Sequence, residues 1–405
     1  MSLLNLLSDE SVWEQFYSYK QSLACPKQFA KELRTFIDAK RYLPVAESII
    51  NGKPFPLPVK SVISKLGSEK KRVVYTYPND ENTVLKLLTW LILRKYDFLF
   101  SPNLYSFRPH RTAKDAVRYL LKHRYIENCY SYKVDISDYF NSIPVDLLLP
   151  MLENTFAEDP ELKRFLESLL KEPFVSDRGK AVAEKKGIMA GTPLSSFFAN
   201  LFLSELDGYF YENRIMYSRY SDDIIVFAEN KETVLAYAEM IKSFLLSHRL
   251  SVNPSKEVFT SPGEGFTFLG FFCKGSHVDI APATVRKLKQ KMRRKRDSLK
   301  RWKDRTEASN ERTAKAFIRV FNRKLLENTR DNELCWSDWF FPVISTSESL
   351  REIDRYAQDC IRYLITEKHT KSRFNVRYGD IKKLGYRSLV HEYYLHREHN
   401  SPKNQ

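Results

Sequence analysis

The chain is short of cysteine, of acidic residues and of any long apolar run, and each shortage excludes something. Its five cysteines, Cys25, Cys129, Cys273, Cys335 and Cys360, are scattered, with no Cys-x-x-Cys pair. That spacing argues against a zinc ribbon or a zinc-dependent nuclease module, and an odd, scattered set predicts reduced thiols and a cytoplasmic protein. The most apolar stretch, 83–100, is interrupted by Lys86, Arg94, Lys95 and Asp97, so neither a membrane span nor a membrane partner is expected. The first ten residues lack the basic region and apolar core of a signal peptide. Acidic residues number 50 against 66 lysines and arginines, a formal charge of +16 with a pI near 9.4. An excess of that size points to a polyanionic partner, nucleic acid or an anionic surface.

A length of 405 residues predicts two or three units, and hydrophobic residues at 43% suffice to fill them. Residues 8–50 read as helical, with Ser8 as the cap ahead of Asp9-Glu10. The proline-rich 52–59 cannot continue a helix and marks a boundary. Strand-like runs at 72–77, 132–136, 215–228 and 266–272 then alternate with helical patterns at 81–97, 112–124, 194–213 and 231–249. This mixture predicts an α+β fold with an antiparallel sheet. Beyond Pro282 the composition changes: residues 285–305 carry twelve basic residues against two acidic ones. Val285, Leu288, Met292, Leu299 and Trp302 recur there at helical spacing, so one stripe packs while the rest stays charged.

One short stretch poses a question. "Arg-Tyr-Ser-Asp-Asp-Ile-Ile-Val-Phe-Ala", 219–228, sets two carboxylates side by side between apolar runs, at the expected tip of a hairpin. Two like charges about 4 Å apart repel by roughly 4 kcal/mol at an effective dielectric near 20. A second acidic signal is "Val-Asp-Ile-Ser-Asp-Tyr-Phe-Asn-Ser-Ile-Pro", 134–144, where Asp135 ends a strand-like run. Neighbouring strands would bring Asp135, Asp222 and Asp223 to one edge, where hard divalent cations resolve the repulsion. Two Mg²⁺ ions about 4 Å apart can activate a 3′-hydroxyl and stabilise a pyrophosphate leaving group. Most Asp-Asp pairs are merely solvated turns, so the combination carries the signal. Its third member is 186–207, where a Gly-Thr-Pro turn opens an apolar helix and lets backbone approach a ligand closely.

In that order, these segments resemble the palm motifs of reverse transcriptases. Residues 106–117, "Ser-Phe-Arg-Pro-His-Arg-Thr-Ala-Lys-Asp-Ala-Val", look like the fingers segment of group II intron and related bacterial enzymes. "Leu-Ser-Val-Asn-Pro-Ser-Lys", 250–256, looks like the following motif with its lysine, and "Phe-Leu-Gly", 268–270, resembles the primer grip. The resemblance covers about 60–280. It implies a right-hand polymerase: a helical N-terminal extension (1–60), fingers and palm with an antiparallel sheet (61–280), then a basic helical thumb and C-terminal helical region (281–405).

The resemblance also implies roles. Asp135 and Asp222 would bind both Mg²⁺ ions, for which Mn²⁺ could substitute, with Asp223 contributing more weakly and the Ile136 carbonyl completing one shell. Phe140 falls where relatives gate against a ribose 2′-hydroxyl; its bland alternative is core packing, with Tyr139 and Phe140 on opposite faces of a strand. Arg72, with Lys70 or Lys71, would clamp the triphosphate of a dNTP. Ala190 and Gly191 would lie near the incoming nucleotide. Lys256 would protonate the departing pyrophosphate or simply add positive field. Arg108, Arg111, the primer-grip residues Phe268, Leu269 and Gly270, and Arg293, Arg294 and Arg296 would meet nucleic acid. Relatives usually carry Gln where this chain has Ala190, and Ser-Pro where it has Ser195-Ser196; the missing amide bears on fidelity and strict template use.

The implied activity is synthesis of a DNA product from an RNA template, with a structured noncoding RNA encoded beside the enzyme as one candidate template. Retron enzymes typically carry Val-Thr-Gly after the palm, whereas this chain reads "Gly-Phe-Thr-Phe-Leu-Gly-Phe-Phe". That leans toward the defence-associated and abortive-infection groups, as does "Leu-Gly-Tyr-Arg-Ser-Leu", 384–389, and hence toward an antiviral role. The rival readings are template-independent or protein-primed DNA synthesis by the same palm, and a catalytically silent RNA-binding protein.

Overall fold

A computed structural model describes residues 2–23, 27–64, 71–327 and 335–400. Cys25 and Lys70 lie outside them; the other four cysteines are free and buried. The chain divides into two compact units, with the division between Glu264 and Gly265.

The first unit carries two four-stranded sheets. One has the order β2-β1-β4-β5, from β1 (Val59–Ser64), β2 (Lys71–Thr76), β4 (Phe174–Asp177) and β5 (Lys180–Ala183). The other has the order β6-β7-β3-β8, from β3 (Tyr130–Asp135), β6 (Tyr217–Tyr220), β7 (Asp223–Ala228) and β8 (Val258–Thr260). Its pairings are all antiparallel, as the alternation in the sequence requires. Tyr132, Val134, Ile224 and Val226 point from its inner face into one apolar cluster. Trp13, Phe16, Leu33, Phe36 and Tyr42 of the N-terminal helices join the same cluster, so the expected extension shares the core of the palm segments.

Helix boundaries depart from expectation in two places. Ser8 ends a 3₁₀ turn, and Asp9 caps the helix Glu10–Ser22 by accepting from the Ser11 N–H, its carboxylate reaching the orphan donors of the first turn. The expected helix 194–213 is two, Ser195–Phe202 and Ser204–Glu212, hinged at Leu203.

In the second unit a three-stranded antiparallel sheet, β9 (Phe266–Phe268), β10 (Phe271–Lys274) and β11 (His277–Ile280), precedes a helical set. What reads as one strand over 266–272 is a hairpin, because Leu269 (φ 49°) and Gly270 (φ 88°) form a two-residue turn that suits the strand twist. The helix Pro282–Thr306 buries Val285, Met292 and Leu299 in a single stripe. Asp354, buried in the helix Glu348–Thr366, accepts from the Tyr386 and Ser388 hydroxyls and the Leu389 and Val390 N–H groups. The 384–389 segment is thereby built into that unit. Among the described residues, no helix is long and apolar enough to cross a membrane.

Candidate active site

Strand β3 places alternate side chains on opposite faces of the sheet. Tyr132 and Val134 face the core, so Lys133 and Asp135 share the opposite face. Asp135 pairs in register with Asp223, and the Ile136 N–H donates to the Asp222 carbonyl at 3.1 Å. The third segment closes from the other side: the Asn253 N–H donates to the Asp135 carbonyl at 2.7 Å and the Ser137 N–H to that of Ser251 at 2.8 Å. Three stretches far apart in sequence thus put Asp135, Asp222 and Asp223 at one sheet end.

The hairpin is shifted by one residue from expectation. Tyr220 and Asp223 close it, so the turn residues are Ser221 and Asp222, and the preceding strand is 217–220 rather than 215–217. Ser221 has φ 60°, a conformation glycine adopts at less cost. It is held by its N–H donating to Ser106 Oγ at 2.9 Å, and that hydroxyl donates to Asn200 Oδ1 at 3.1 Å. Beneath it lies an ion pair with both side chains fully buried: Arg219 donates to Asp207 at 2.8 and 2.5 Å and to the Ser221 carbonyl at 3.2 Å. Tyr217 Oη adds a third hydrogen bond to Asp207. Arg219, Asp207, Ser106 and Asn200 are missed by sequence reasoning; the available signal was an arginine inside the strand run that leads to the paired aspartates.

The electrostatics show why the three acids differ. Burial pushes the pKa of Asp222 up, and repulsion from Asp135 and Asp223 adds to it, against the pull of Lys256. Lys256 Nζ lies 2.5 Å from Asp135, and Lys133 Nζ lies 3.0 Å from Asp223. The three carboxylates do not all come within 4.8 Å of one another. The set still suits a hard cation: it is all oxygen, partly buried, and so negative that two ammonium groups crowd against it. Ile136 is fixed at this site by a bridge to Val252.

Phe140 departs from expectation. Asp138 in the left-handed region (φ 42°) ends the extended run, so Tyr139 and Phe140 lie on a short helix, Tyr139–Ser142, and not on opposite faces of a strand. Tyr139 is the core residue, donating to the Ala199 carbonyl at 2.5 Å. Phe140 is half-buried, edge-on to Phe107 with centroids 6.1 Å apart. Its carbonyl accepts from the Ile188 N–H at 3.0 Å, and a Cβ on Gly187 would sit 2.5 Å from that same oxygen. The loop continues onto β2: the Ala190 carbonyl accepts from the Tyr75 N–H at 2.8 Å, and Gly191 (φ 102°) lies against the Tyr75 carbonyl. Lys71 and Arg72 are exposed on that same strand.

Several expected nucleic-acid contacts are corrected. Arg108 is buried, its guanidinium donating to the Asp97 carboxylate at 2.7 and 3.0 Å and to the carbonyls of Asp97, Ser101 and Leu104. With its donors taken up inside the fold, it is a structural cation. Arg111 stays half-exposed, with one hydrogen bond to the Pro102 carbonyl. Phe268 is fully buried in the second unit, leaving only the turn residues Leu269 and Gly270 at the surface. Arg296 pairs with Asp297 and lies 4.9 Å over the Tyr363 ring, while Arg293 and Arg294 are exposed. Lys289 and Lys303 also turn inward, to Glu352 and Glu367. Part of the basic helix is thus neutralised by its neighbour. Among the described residues, the group that does converge within 4.8 Å is His277, Asp279 and Glu348; there Asp279 accepts from the Ser349 N–H and serves the start of a helix.

A family model described as reverse transcriptase (RNA-dependent DNA polymerase) matches residues 63–273. The chain belongs to the reverse transcriptase family. Its members use divalent metal ions. The Retron Ec83 reverse transcriptase of Escherichia coli is 30% identical over 140 residues, 33% of this chain and 44% of that enzyme. The Retron Ec86 reverse transcriptase of the same organism is 23% identical over 235 residues, 57% of this chain and 67% of that enzyme. The chain therefore aligns with less than half the length of the first. Apo telomerase from Candida tropicalis superposes with a TM-score of 0.48 at 13% identity, over 84% of this chain and 61% of that one.

Proposed function

We propose that this reverse transcriptase is an RNA-directed DNA polymerase that adds deoxynucleotides to a 3′-end on an RNA template. The observation that supports it most is the pairing of Asp135 with Asp223 across β3 and β7, with Asp222 on the adjoining turn. Bound divalent ions, Mg²⁺ with Mn²⁺ as substitute, would supply Lewis acidity to the attacking hydroxyl and the departing pyrophosphate. Asp135 and Asp222 would hold them with help from the Ile136 carbonyl, and Lys256, which pairs with Asp135 here, would serve as the proton donor to the leaving group. Lys71 and Arg72 offer exposed cations to a triphosphate, and the Ala190-Gly191 backbone borders the nucleotide. A partly buried set of mutually repelling carboxylates disfavours a silent RNA-binding protein, because such a protein gains nothing from their cost. In this reading 61–280 are fingers and palm and 281–405 thumb and C-terminal region, acting in the cytoplasm. A structured noncoding RNA as template and an antiviral role rest on the sequence resemblance. Extension of a primed RNA, lost in Asp222→Asn, tests the assignment; sequencing the nucleic acid that co-purifies identifies the template.

Phe140 is assigned as the sugar gate because it is half-exposed while Tyr139 is locked in the core. Phe140→Ala should raise ribonucleotide relative to deoxynucleotide incorporation by about tenfold or more, as the lost ring removes a steric term of order 1–3 kcal/mol. Unchanged discrimination in single-nucleotide extension would remove Phe140 from this role.

The exposed arginines of the helix Pro282–Thr306 are assigned to phosphates. Each such contact contributes a slope of about −0.7 in log K against log salt for single strands. Arg293→Gln with Arg294→Gln should flatten that slope by up to about 1.4 and spare the melting temperature. Arg296→Gln should do the reverse, lowering the melting temperature with little change of slope. Filter binding of RNA across a salt series, beside thermal melts, decides it.

A further inference from the structure

We propose that Lys133 is a resident counter-ion for Asp223, holding that carboxylate out of the divalent-metal site so that, of the three aspartates, Asp135 and Asp222 are the ones that bind the ions. This rests on the proposed metal-binding role of those two aspartates and deepens it.

The strand register supplies the geometry. Asp135 lies opposite Asp223, and Lys133 lies opposite Ile225 on the same face of the sheet. Lys133 therefore reaches Asp223 diagonally, ending 3.0 Å from it. Its stem runs between buried neighbours, Ser131 on its own strand and Ile225 and Phe227 across from it, and its side chain is only 20% exposed. Lys256 is differently placed. It sits on a short 3₁₀ turn, Pro254–Lys256, with its side chain 43% exposed, so it can swing away from Asp135 when an ion arrives. Among the described residues, no ion pair involves Asp222. The three acids thus fall into three classes: one neutralised by a fixed lysine, one by a displaceable lysine, one by neither. A divalent ion gains most from the last two. Lys133 answers the question posed by the adjacent aspartates: only one of them awaits a metal.

The pair also makes a distinctive prediction, because Lys133 and Asp223 together are neutral. Removing either member alone changes the charge beside the site by one unit, in opposite directions. Removing both restores it. Mn²⁺ binding to the full-length protein, followed by electron paramagnetic resonance, reads this without any turnover. Lys133→Met should bind Mn²⁺ about fivefold more tightly and Asp223→Asn more weakly by a similar factor, from one charge several ångströms away in a partly aqueous site. The Lys133→Met/Asp223→Asn double variant should return to the wild-type affinity. Without divalent ions, Lys133→Met should also melt lower than wild type, and Mn²⁺ should close that gap. Lys133→Gln repeats the test should the methionine variant fail to fold. Unchanged affinity in Lys133→Met overturns the proposal. So does a double variant that binds more weakly than wild type, since Asp223 would then be a ligand itself. Asp222→Asn is the separate control: if it leaves Mn²⁺ binding intact, the metal site itself is misassigned, whatever Lys133 does.

Discussion

Asp222→Asn should reduce deoxynucleotide incorporation on a primed RNA to background while leaving the metal-free protein as stable as wild type or slightly more so. The loss follows from removing the carboxylate that no lysine accompanies. The stability follows from the sign of its pKa shift. Burial and two neighbouring acids raise the Asp222 pKa. An acid whose pKa is raised on folding stabilises the fold only while protonated, and that stability is lost as pH rises through the folded-state value. At neutral pH the wild type therefore carries the cost of an ionised, partly buried group, and asparagine does not. Asp135→Asn should be equally inactive, since it removes the other aspartate assigned to hold the ions. Asp223→Asn should keep partial activity. Primer extension and melts in chelator are the measurements; normal extension by folded Asp222→Asn would end the assignment.

Arg219→Met should be the most destabilising single change near the site, and inactivation should accompany it. Arg219 and Asp207 are both fully buried, and together they support the turn that carries Asp222. Breaking a buried pair leaves a charge with no compensation, at a cost of about 3–5 kcal/mol. The double change Arg219→Met with Asp207→Leu removes both charges and should recover part of that loss. Activity should not recover with it, because the Ser221 carbonyl still lacks its donor and the turn its support. Urea denaturation of the three variants measures the first claim and primer extension the second. A double variant no more stable than Arg219→Met would show that packing, not charge, holds this layer.

The chemistry of the site is local in sequence, and so it could be read there. An acid at the end of an alternating strand, a pair of acids between apolar runs and a lysine after Asn-Pro each announce themselves within a few residues. What places them is not local. Arg108 looks like a cation offered to nucleic acid until Asp97, eleven residues earlier, is seen to take its guanidinium. The basic helix likewise looks uniformly charged, because Glu352 and Glu367 lie more than sixty residues away from the lysines they neutralise. Phe140 is misread as a strand residue because a single left-handed aspartate, Asp138, ends the extended run. The hairpin slips by one residue for a related reason: no glycine marks the turn, and a hydrogen bond from Ser106, 115 positions upstream, lets serine fill the place.

Gly187 makes the ring of Phe140 and the loop that follows a single adjustable part. Any side chain at 187 would be driven into the Phe140 and Asn141 backbone, at 2.5–2.6 Å, while Ile188 holds the same carbonyl from beside it. The aromatic wall therefore has two tuning screws, its own side chain and the seat on which its backbone rests. Variation in the loop can raise, lower or tilt that wall with residue 140 unaltered. On the proposed gating role of Phe140, a sequence comparison that looks only at position 140 would then rank two enzymes as alike when their tolerance for the 2′-hydroxyl differs.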